Sequence, residues 1–400
     1  MMIQSDLQFL EEWIDHNLGK EVFKPGLERI KTLVHPIFLK LKEKGTKFVT
    51  IGGTNGKGQT SYMLAHILKN LGQTYTLWTS PHILQITERF SSDNGDVDAS
   101  WLKKKCLEYS SLANELSYFE FLFFLFIHYS FEKNPDVVIL EVGLGGRLDA
   151  VNCIDADIMA ITSISRDHEE ILGKGYRTIL KEKWGITRSG KPVLTAFDLD
   201  YLSQIASRWS FEEKVEWSDL VKLGVIQEKD DFFVRNQLLA WAIYQKMNHQ
   251  TPDRLKLDSI FFPVMPHRGD KLHFRDGKIQ FIGSHNTDGM RKLLQYFCSR
   301  KNEKFDYVIV SFSKRSELEI EAMLKSLLSL PETFKKILVT KFDHPKAWTG
   351  NVNKVKYPFI EEINWEDFLM EENLDSKNIL VTGSYYFVGA IKKFIFQNTP

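Results

Sequence analysis

Short runs rich in β-branched and aliphatic residues recur from residue 47 onward, separated by helix-like stretches. That alternation marks a parallel sheet with helices on its faces, because parallel strands need long crossover connections. KFVTI (47–51), YTLWT (75–79), DVVILEV (136–142), DIMAITSI (157–164) and KPVLTA (191–196) are the strand candidates of a first series. Between the first two, SYMLAHILKNLG (61–72) sets Met63, Leu64, Ile67, Leu68 and Leu71 at helical spacing and stops at Gly72. From about Asp198 to Pro266 the pattern loosens, with one helix expected over Asn236 to Met247. A second series follows in KIQFIG (278–283), DYVIVSF (306–312), KKILVTKF (335–342) and KNILVTGS (377–384). The expectation is two α/β domains, residues 1–266 and 267–400, joined near MPHRGD (265–270), where Pro and Gly punctuate the pattern.

Composition narrows the function. Lys plus Arg number 52 and Asp plus Glu 52, so the chain lacks the basic excess of a nucleic-acid footprint, and no nucleic-acid partner is expected. Cys106, Cys153 and Cys298 are odd in number, far apart and without a CxxC pair, which argues against a disulfide framework or zinc site and for a reducing cytoplasm. The first residues show no basic stretch followed by an apolar run, so no signal peptide is expected. FEFLFFLFIHYSF (119–131) is too short to span a bilayer of about 20 residues and reads as a buried helix, with no membrane partner.

The chemistry starts at IGGTNGKGQT (51–60). The usual phosphate loop has Gly, four residues, then Gly-Lys and Ser or Thr. Here Ile51 stands where the first Gly belongs and Gly58 follows Lys57. Glycines and a lysine between a strand and a helix still put backbone N–H groups, a cation and a helix dipole at one place, which suits phosphate. An ordinary glycine turn remains the alternative on these residues alone.

Other stretches supply context. GTNGKG, FKPGLERI (23–30), TSPHILQITERF (79–90), SYFEF (117–121), ILEVGLGGRLDAVN (139–152), ITSISRDHEEILG (161–173), EKWGI (182–186) and VTGSYYFVG (381–389) follow one another along almost the whole chain. In that order they resemble the folylpolyglutamate synthase and dihydrofolate synthase branch of the Mur ligase superfamily. The resemblance implies a P-loop-type, mostly parallel ATP- and folate-binding domain, then a smaller Rossmann-like glutamate-ligase domain. It also implies that the phosphate loop is a shortened variant whose metal-binding hydroxyl comes from another strand.

The site residues are carried over on the same footing. Gly53, Thr54, Asn55, Gly56, Lys57, Gly58, Gln59 and Thr60 would form the phosphate loop, although the family usually has Ser or Thr where this chain has Gln59. Asn236 would lie on the adenine side, and Arg268 and His285 would reach the nucleotide from the second domain. Ser80, Glu141 and His168 would hold Mg²⁺, which wants hard oxygen ligands and keeps several waters. Taken alone, Ser80 before Pro81 is an ordinary turn residue, and His168 beside Asp167 is a polar pair. Glu141 in an apolar run is harder to set aside, because carboxylates are almost never buried without a partner. Lys183, on sequence alone a solvated helix position, would be carbamylated. Lys57, Lys183 and His168 are the catalytic set.

Ser117, Tyr118, Phe119, Glu120, Leu148, Asp149, Ala150 and Arg89 would line the pocket for dihydropteroate or a reduced folate, with L-glutamate as the amine. Plain core packing is the competing account of Tyr118 and Phe119. The implied reaction is ATP-dependent amide formation through an acyl phosphate by a monomer acting on small molecules. Three departures stand out: Ile282 replaces an Asp that contacts ATP in relatives, with Asp288 a candidate substitute; Val151 replaces a Thr; and Lys24-Pro25 replaces an acidic and an apolar residue. The alternatives are a ligase for a UDP-muramyl acceptor and a diverged relative that binds without ligating.

Overall fold

The computed structural model describes residues 2–21, 24–254, 263–265, 268–300, 303–330, 332–352 and 356–399. Phe23 of FKPGLERI, and Pro266 and His267 of the expected junction, lie outside the described residues. The chain divides into two compact units, Met1–Pro263 and Val264–Pro400. The division falls just ahead of the expected junction.

The first unit carries β1 (Lys47–Gly52), β2 (Tyr75–Trp78), β3 (Phe90–Ser92), β4 (Gly95–Asp96), β5 (Val137–Glu141), β6 (Ile158–Ile161), β7 (Pro192–Thr195) and β8 (Glu216–Asp219). Its helices are α1 (Met2–Leu18), α2 (Glu28–Glu43), α3 (Lys57–Asn70), α4 (Ala99–Glu108), α5 (Tyr118–Lys133), α6 (Glu169–Leu172), α7 (Tyr176–Trp184), α8 (Asp200–Glu212) and α9 (Phe232–Met247). The sheet order is β4-β3-β2-β5-β1-β6-β7-β8. In sheet order from β2 to β8 every neighbouring pair is parallel, and the pairs β2–β3 and β3–β4 at one edge are antiparallel, so β3 alone runs against the rest. Ile51 pairs with Glu141, and Gly52 with Ile161, so the carboxyl ends of β5, β1 and β6 finish level.

These central strands read as unbroken apolar runs because both faces of the sheet are covered. Val138, Leu140 and Trp78 pack with Phe121, Phe123 and Phe126 of α5 on one face. Val49, Ile51, Val137 and Ile139 pack with Met63, Leu64 and Ile67 of α3 and Leu238 and Leu239 of α9 on the other. The FEFLFFLFIHYSF stretch is thus a buried helix; among the described residues no helix is long and apolar enough to cross a membrane.

The second unit has β9 (Lys271–Phe274), β10 (Gly277–Gly283), β11 (Phe305–Ser311), β12 (Phe334–Thr340), β13 (Ile360–Ile363) and β14 (Asn378–Gly383), with α10 (Thr287–Ser299), α11 (Glu317–Leu328), α12 (Trp365–Glu371) and α13 (Tyr385–Asn398). Its sheet order is β13-β12-β11-β14-β10-β9, with β9 antiparallel and all other neighbours parallel.

The differences from expectation cluster at edges and ends. The first crossover helix begins at Lys57, four residues early, because its opening turn is glycine and polar residues with no apolar period to read. The helix expected from Asn236 begins at Phe232, capped by Asp231, whose carboxylate accepts from the Val234 N–H at 3.0 Å. α8 and β8 fill the stretch read as loosely patterned: α8 buries small residues such as Ser203, Ala206 and Ser210, and β8 is a half-exposed edge.

Phe123 is fully buried, with its ring centroid 5.6 Å from that of Trp78. Phe123→Ala is expected to cost about 3–5 kcal/mol, seen as a lower urea midpoint for the first unit's transition; a loss below about 1 kcal/mol would contradict this packing account.

Candidate active site

Gly53 follows β1 with φ 135° and Gly56 caps α3 with φ 88°, conformations that side chains rarely adopt. A Cβ on Gly53 would lie 2.0 Å from Thr162 Oγ1. That closeness lets the loop be laced to the segment after β6. The Thr54 N–H donates to the Ser163 carbonyl at 2.7 Å and the Asn55 N–H to Ser163 Oγ at 3.0 Å. Thr162 Oγ1 donates to the Asn55 carbonyl at 2.7 Å, and the Ser165 N–H to Thr54 Oγ1 at 3.0 Å. The loop's shape is therefore fixed before any ligand arrives. Lys57 folds back over it, its ammonium donating to the Thr54 carbonyl at 3.1 Å, at the positive end of a 14-residue helix.

One strand away, Glu141 ends β5 with its side chain buried in the sheet's carboxyl edge. Its Oε2 accepts from the Ser80 N–H at 3.0 Å, so the residue after β2 and the end of β5 meet. Both offer hard oxygens, the donor type that suits Mg²⁺. His168 stands beyond β6, on the other side of β1 from β5 in the sheet order, at the N-terminal cap of α6. Its backbone is left-handed at φ 53°, and Nδ1 lies 3.5 Å from Glu170 Oε1. The structure thus joins Ser80 to Glu141 directly and holds His168 on a separate loop. Among the described residues no three His, Cys, Asp or Glu side chains form a ready metal cage.

Lys183 is not solvated. It is 4% exposed, and its Nζ donates to the Gly53 carbonyl at 2.9 Å. Burial, together with the Lys57 cation, lowers its pKa from 10.5 to about 7, against the pull of Asp167 and Asp149. The GLGGRLDAVN loop makes this approach possible: a Cβ on Gly146 would sit 2.8 Å from the Glu182 carbonyl, and one on Gly185 2.5 Å from Arg147 Cβ. The Arg147 N–H donates to the Glu182 carbonyl at 2.8 Å and Asn152 Nδ2 to the Gly185 carbonyl at 3.0 Å, docking the loop on the end of α7. Asp149 shapes the same loop, accepting from the Leu144 N–H at 2.9 Å and the Val151 N–H at 3.0 Å; burial pushes its carboxyl up to about 6. Leu148 and Ala150 flank it, half-buried and buried respectively.

On the α5 side, Ser117 and Glu120 form a reciprocal cap: the Ser117 N–H donates to Glu120 Oε2 at 2.8 Å and the Glu120 N–H to Ser117 Oγ at 3.3 Å. Glu120 Oε1 accepts from Arg29 Nε at 3.2 Å. The carboxylate expected to receive pterin donors is therefore already engaged in holding a helix end and a cation. Arg89, 1% exposed, donates to both oxygens of Glu21 at 3.1 and 3.0 Å and to His82 Nδ1 at 3.0 Å, with its guanidinium 5.3 Å from the Tyr118 ring. Phe119 packs edge-on to Trp78 at 5.3 Å, in the space left by Gly143, where a Cβ would meet the ring at 2.7 Å.

The Mur ligase middle domain matches residues 51–240. A dihydrofolate synthase/folylpolyglutamate synthase of Buchnera aphidicola subsp. Baizongia pistaciae is 36% identical over 421 residues, covering 96% of this chain and 95% of that protein. The chain belongs to the dihydrofolate synthase/folylpolyglutamate synthase family. The Haemophilus influenzae protein of the same name is 38% identical over 230 residues, and the match spans about half of each chain, 52% of this one and 51% of that. The Yersinia pestis folylpolyglutamate synthase/dihydrofolate synthase complexed with AMPPNP and a Mn ion shares the fold, with TM-score 0.78 and 22% identity over 98% of both chains.

The chain's departures within this family have structural counterparts. Gln59 accepts from Asn236 Nδ2 at 2.5 Å, tying the first turn of α3 to α9. Thr60 is fully buried, and its hydroxyl has no hydrogen-bond partner among the described residues. In the second unit Ile282 is buried in β10, while Asp288 is engaged with Arg291 at 2.8 Å and Lys292 at 3.8 Å. Arg268 lies 4.8 Å from the Tyr385 ring, and His285 5.2 Å from the same ring, so Tyr385 links two residues that sequence named separately. Thr162, Ser163, Ser165 and Tyr385 were missed as site residues, although each lies in a stretch already noted for its resemblance.

The Lys183 shift has a definite sign. Between about pH 7 and 10.5 the unfolded chain binds a proton that the folded one does not, so the burial penalty is full at and below neutrality and fades as pH rises. Lys183→Met is accordingly expected to gain stability relative to the parent most at pH 6–7, the difference shrinking toward pH 10 in denaturation measured without added bicarbonate. A pH-independent difference would contradict the buried neutral amine.

Proposed function

We propose that this chain is an ATP-dependent amide ligase that adds L-glutamate to dihydropteroate, to reduced folates, or to both. The observation that carries the reading is Lys57 folded over a pre-shaped glycine loop at the start of α3, one strand from the Glu141–Ser80 pair. Triphosphate on the loop puts its terminal phosphate near a cation and hard oxygen donors. A carboxylate oxygen of the acceptor attacks the γ-phosphorus and ADP leaves, giving an acyl phosphate. The glutamate amine then attacks the acyl carbon, loses a proton, and phosphate departs. Such chemistry needs mainly positioning and charge neutralisation.

The geometry supports the following assignment of roles. Lys57 steadies charge developing on the transferring phosphoryl group. Glu141 and Ser80 would hold Mg²⁺, with His168 completing the set from across β1; when bound, the ion offsets phosphate charge. Lys183 supplies a buried amine with a substantial neutral fraction near pH 7, the form that adds CO₂, and a carbamate there gives the site an anion beside Lys57. Phe119 and the Leu148–Asp149–Ala150 loop form the pterin side, with Arg89 as a buried support beneath Tyr118. Residues 1–266 would take ATP and folate, and residues 267–400, which carry Arg268 and His285, would be the glutamate-ligase domain. The three free cysteines suit a reducing cytoplasm, and we take the working form to be a monomer acting on small molecules.

Phosphate release in the presence of ATP and Mg²⁺ tests this directly. It is expected to depend on glutamate and on dihydropteroate or tetrahydrofolate, and Lys57→Ala is expected to lower kcat by about 10²–10³. Absence of release with either acceptor would refute the ligase reading.

A further inference from the structure

We propose that Arg188 is the positioning residue that keeps the Lys183 amine buried, and that it thereby controls the uptake of CO₂ by that amine; the CO₂ half rests on the reading above, in which Lys183 is carbamylated. Lys183 lies near the end of α7, and the loop from Gly146 to Ile154 comes so close that a Cβ on Gly146 would stand 3.1 Å from the Lys183 Cα. Arg188 fastens that loop to the chain leaving α7. Its guanidinium donates from Nη1 to the Ile186 and Thr187 carbonyls, both at 3.0 Å. From Nη2 it donates to the Asn152 carbonyl at 2.9 Å, to Asn152 Oδ1 at 2.8 Å and to the Ile154 carbonyl at 3.3 Å. Asp155 Oδ1 stands 3.6 Å from Nε and is also held by Lys191 at 2.7 Å.

Arginine has donors and no acceptor, so Asn152 turns its oxygen to Arg188 and its NH₂ group away. That NH₂ group reaches the Arg147 and Gly185 carbonyls, both at 3.0 Å, and completes the clamp. A lysine at position 188 keeps the charge, but its single nitrogen cannot span oxygens on both segments. Loosening the clamp admits water to Lys183, whose amine is faced by Lys57 at the start of α3, Asp167 beyond β6 and Asp149 in the loop. Desolvation is the largest of the influences on this amine, so hydration moves its pKa from about 7 back toward 10.5. The neutral form near pH 7 is then lost. Only that form adds CO₂: the nitrogen lone pair attacks the carbon, one N–H proton passes to solvent, and a carbamate remains.

A double-mutant cycle in urea across pH, without bicarbonate, reads this role with no need of substrate or turnover. In the parent, Lys183→Met is expected to raise the urea midpoint most at pH 6–7 and little at pH 10. In Arg188→Met, and in the milder Arg188→Lys, at least about half of that pH-dependent gain is expected to disappear, because the two sites are coupled through the clamp. Phe123→Ala, which destabilises the same unit away from the clamp, is expected to leave the gain whole. The full gain retained in the Arg188 variants, lost equally in Phe123→Ala, or missing from the parent overturns the role of Arg188. ¹³C NMR with labelled bicarbonate separates this from the carbamate reading. Near pH 7 the parent is expected to show a carbamate signal that Lys183→Met abolishes and Arg188→Lys lowers by at least about twofold. No signal from the parent refutes the carbamate reading and the CO₂ half of the proposal, while the urea cycle still decides whether Arg188 holds the amine buried.

Discussion

Gly53 sits where three elements meet, and a side chain there would collide with the end of β6. A Cβ on it would overlap Thr162, its left-handed backbone turns the chain out of β1, and its carbonyl accepts from the buried Lys183 Nζ of α7. The residues around it depend on this crossing. Because Gly53 admits close approach, the next two residues can be laced to Ser163 and Ser165, and because they are laced, Lys57 starts α3 at a fixed place.

The same logic repeats one strand away. GLGG lacks side chains where it meets α7, so Lys183 arrives buried rather than solvated, and burial turns it into an amine that is partly neutral near pH 7. Two glycine segments with different partners thus bring opposite chemical demands together: Lys57 at the positive end of α3, and a desolvated Lys183 that resists charge. Glu141 adds a carboxylate at the end of β5, where the sheet's own register levels it with the phosphate loop.

Much of this was legible in the sequence, for physical reasons. Doubly covered strands such as VVILE and VTI have no polar face and stand out as apolar runs. Edge strands have one exposed side and little length; EWSD, KLHF and IEEI do not stand out, and the structure alone reveals them. Within the candidate site, Lys57 and Glu141 stand out in the sequence because charge next to glycine, or inside an apolar run, is costly unless used. Thr162, Ser163 and Ser165 do not, since hydroxyl residues after a strand are common in turns. Glu120 is a different case. The spacing Ser117-x-x-Glu120 is itself a capping signature, and the structure shows that reciprocal cap.

The central claim is that triphosphate and a divalent cation meet at the carboxyl edge of β1, β5 and β2. A crystal of the full chain grown with a non-hydrolysable ATP analogue and Mn²⁺ tests it most directly, through the manganese anomalous signal. The account predicts one strong peak in contact with Glu141 and Ser80 and with the analogue's terminal phosphates, beside Lys57. Nucleotide bound away from the Gly53–Thr60 loop, or manganese bound without Glu141, would contradict it.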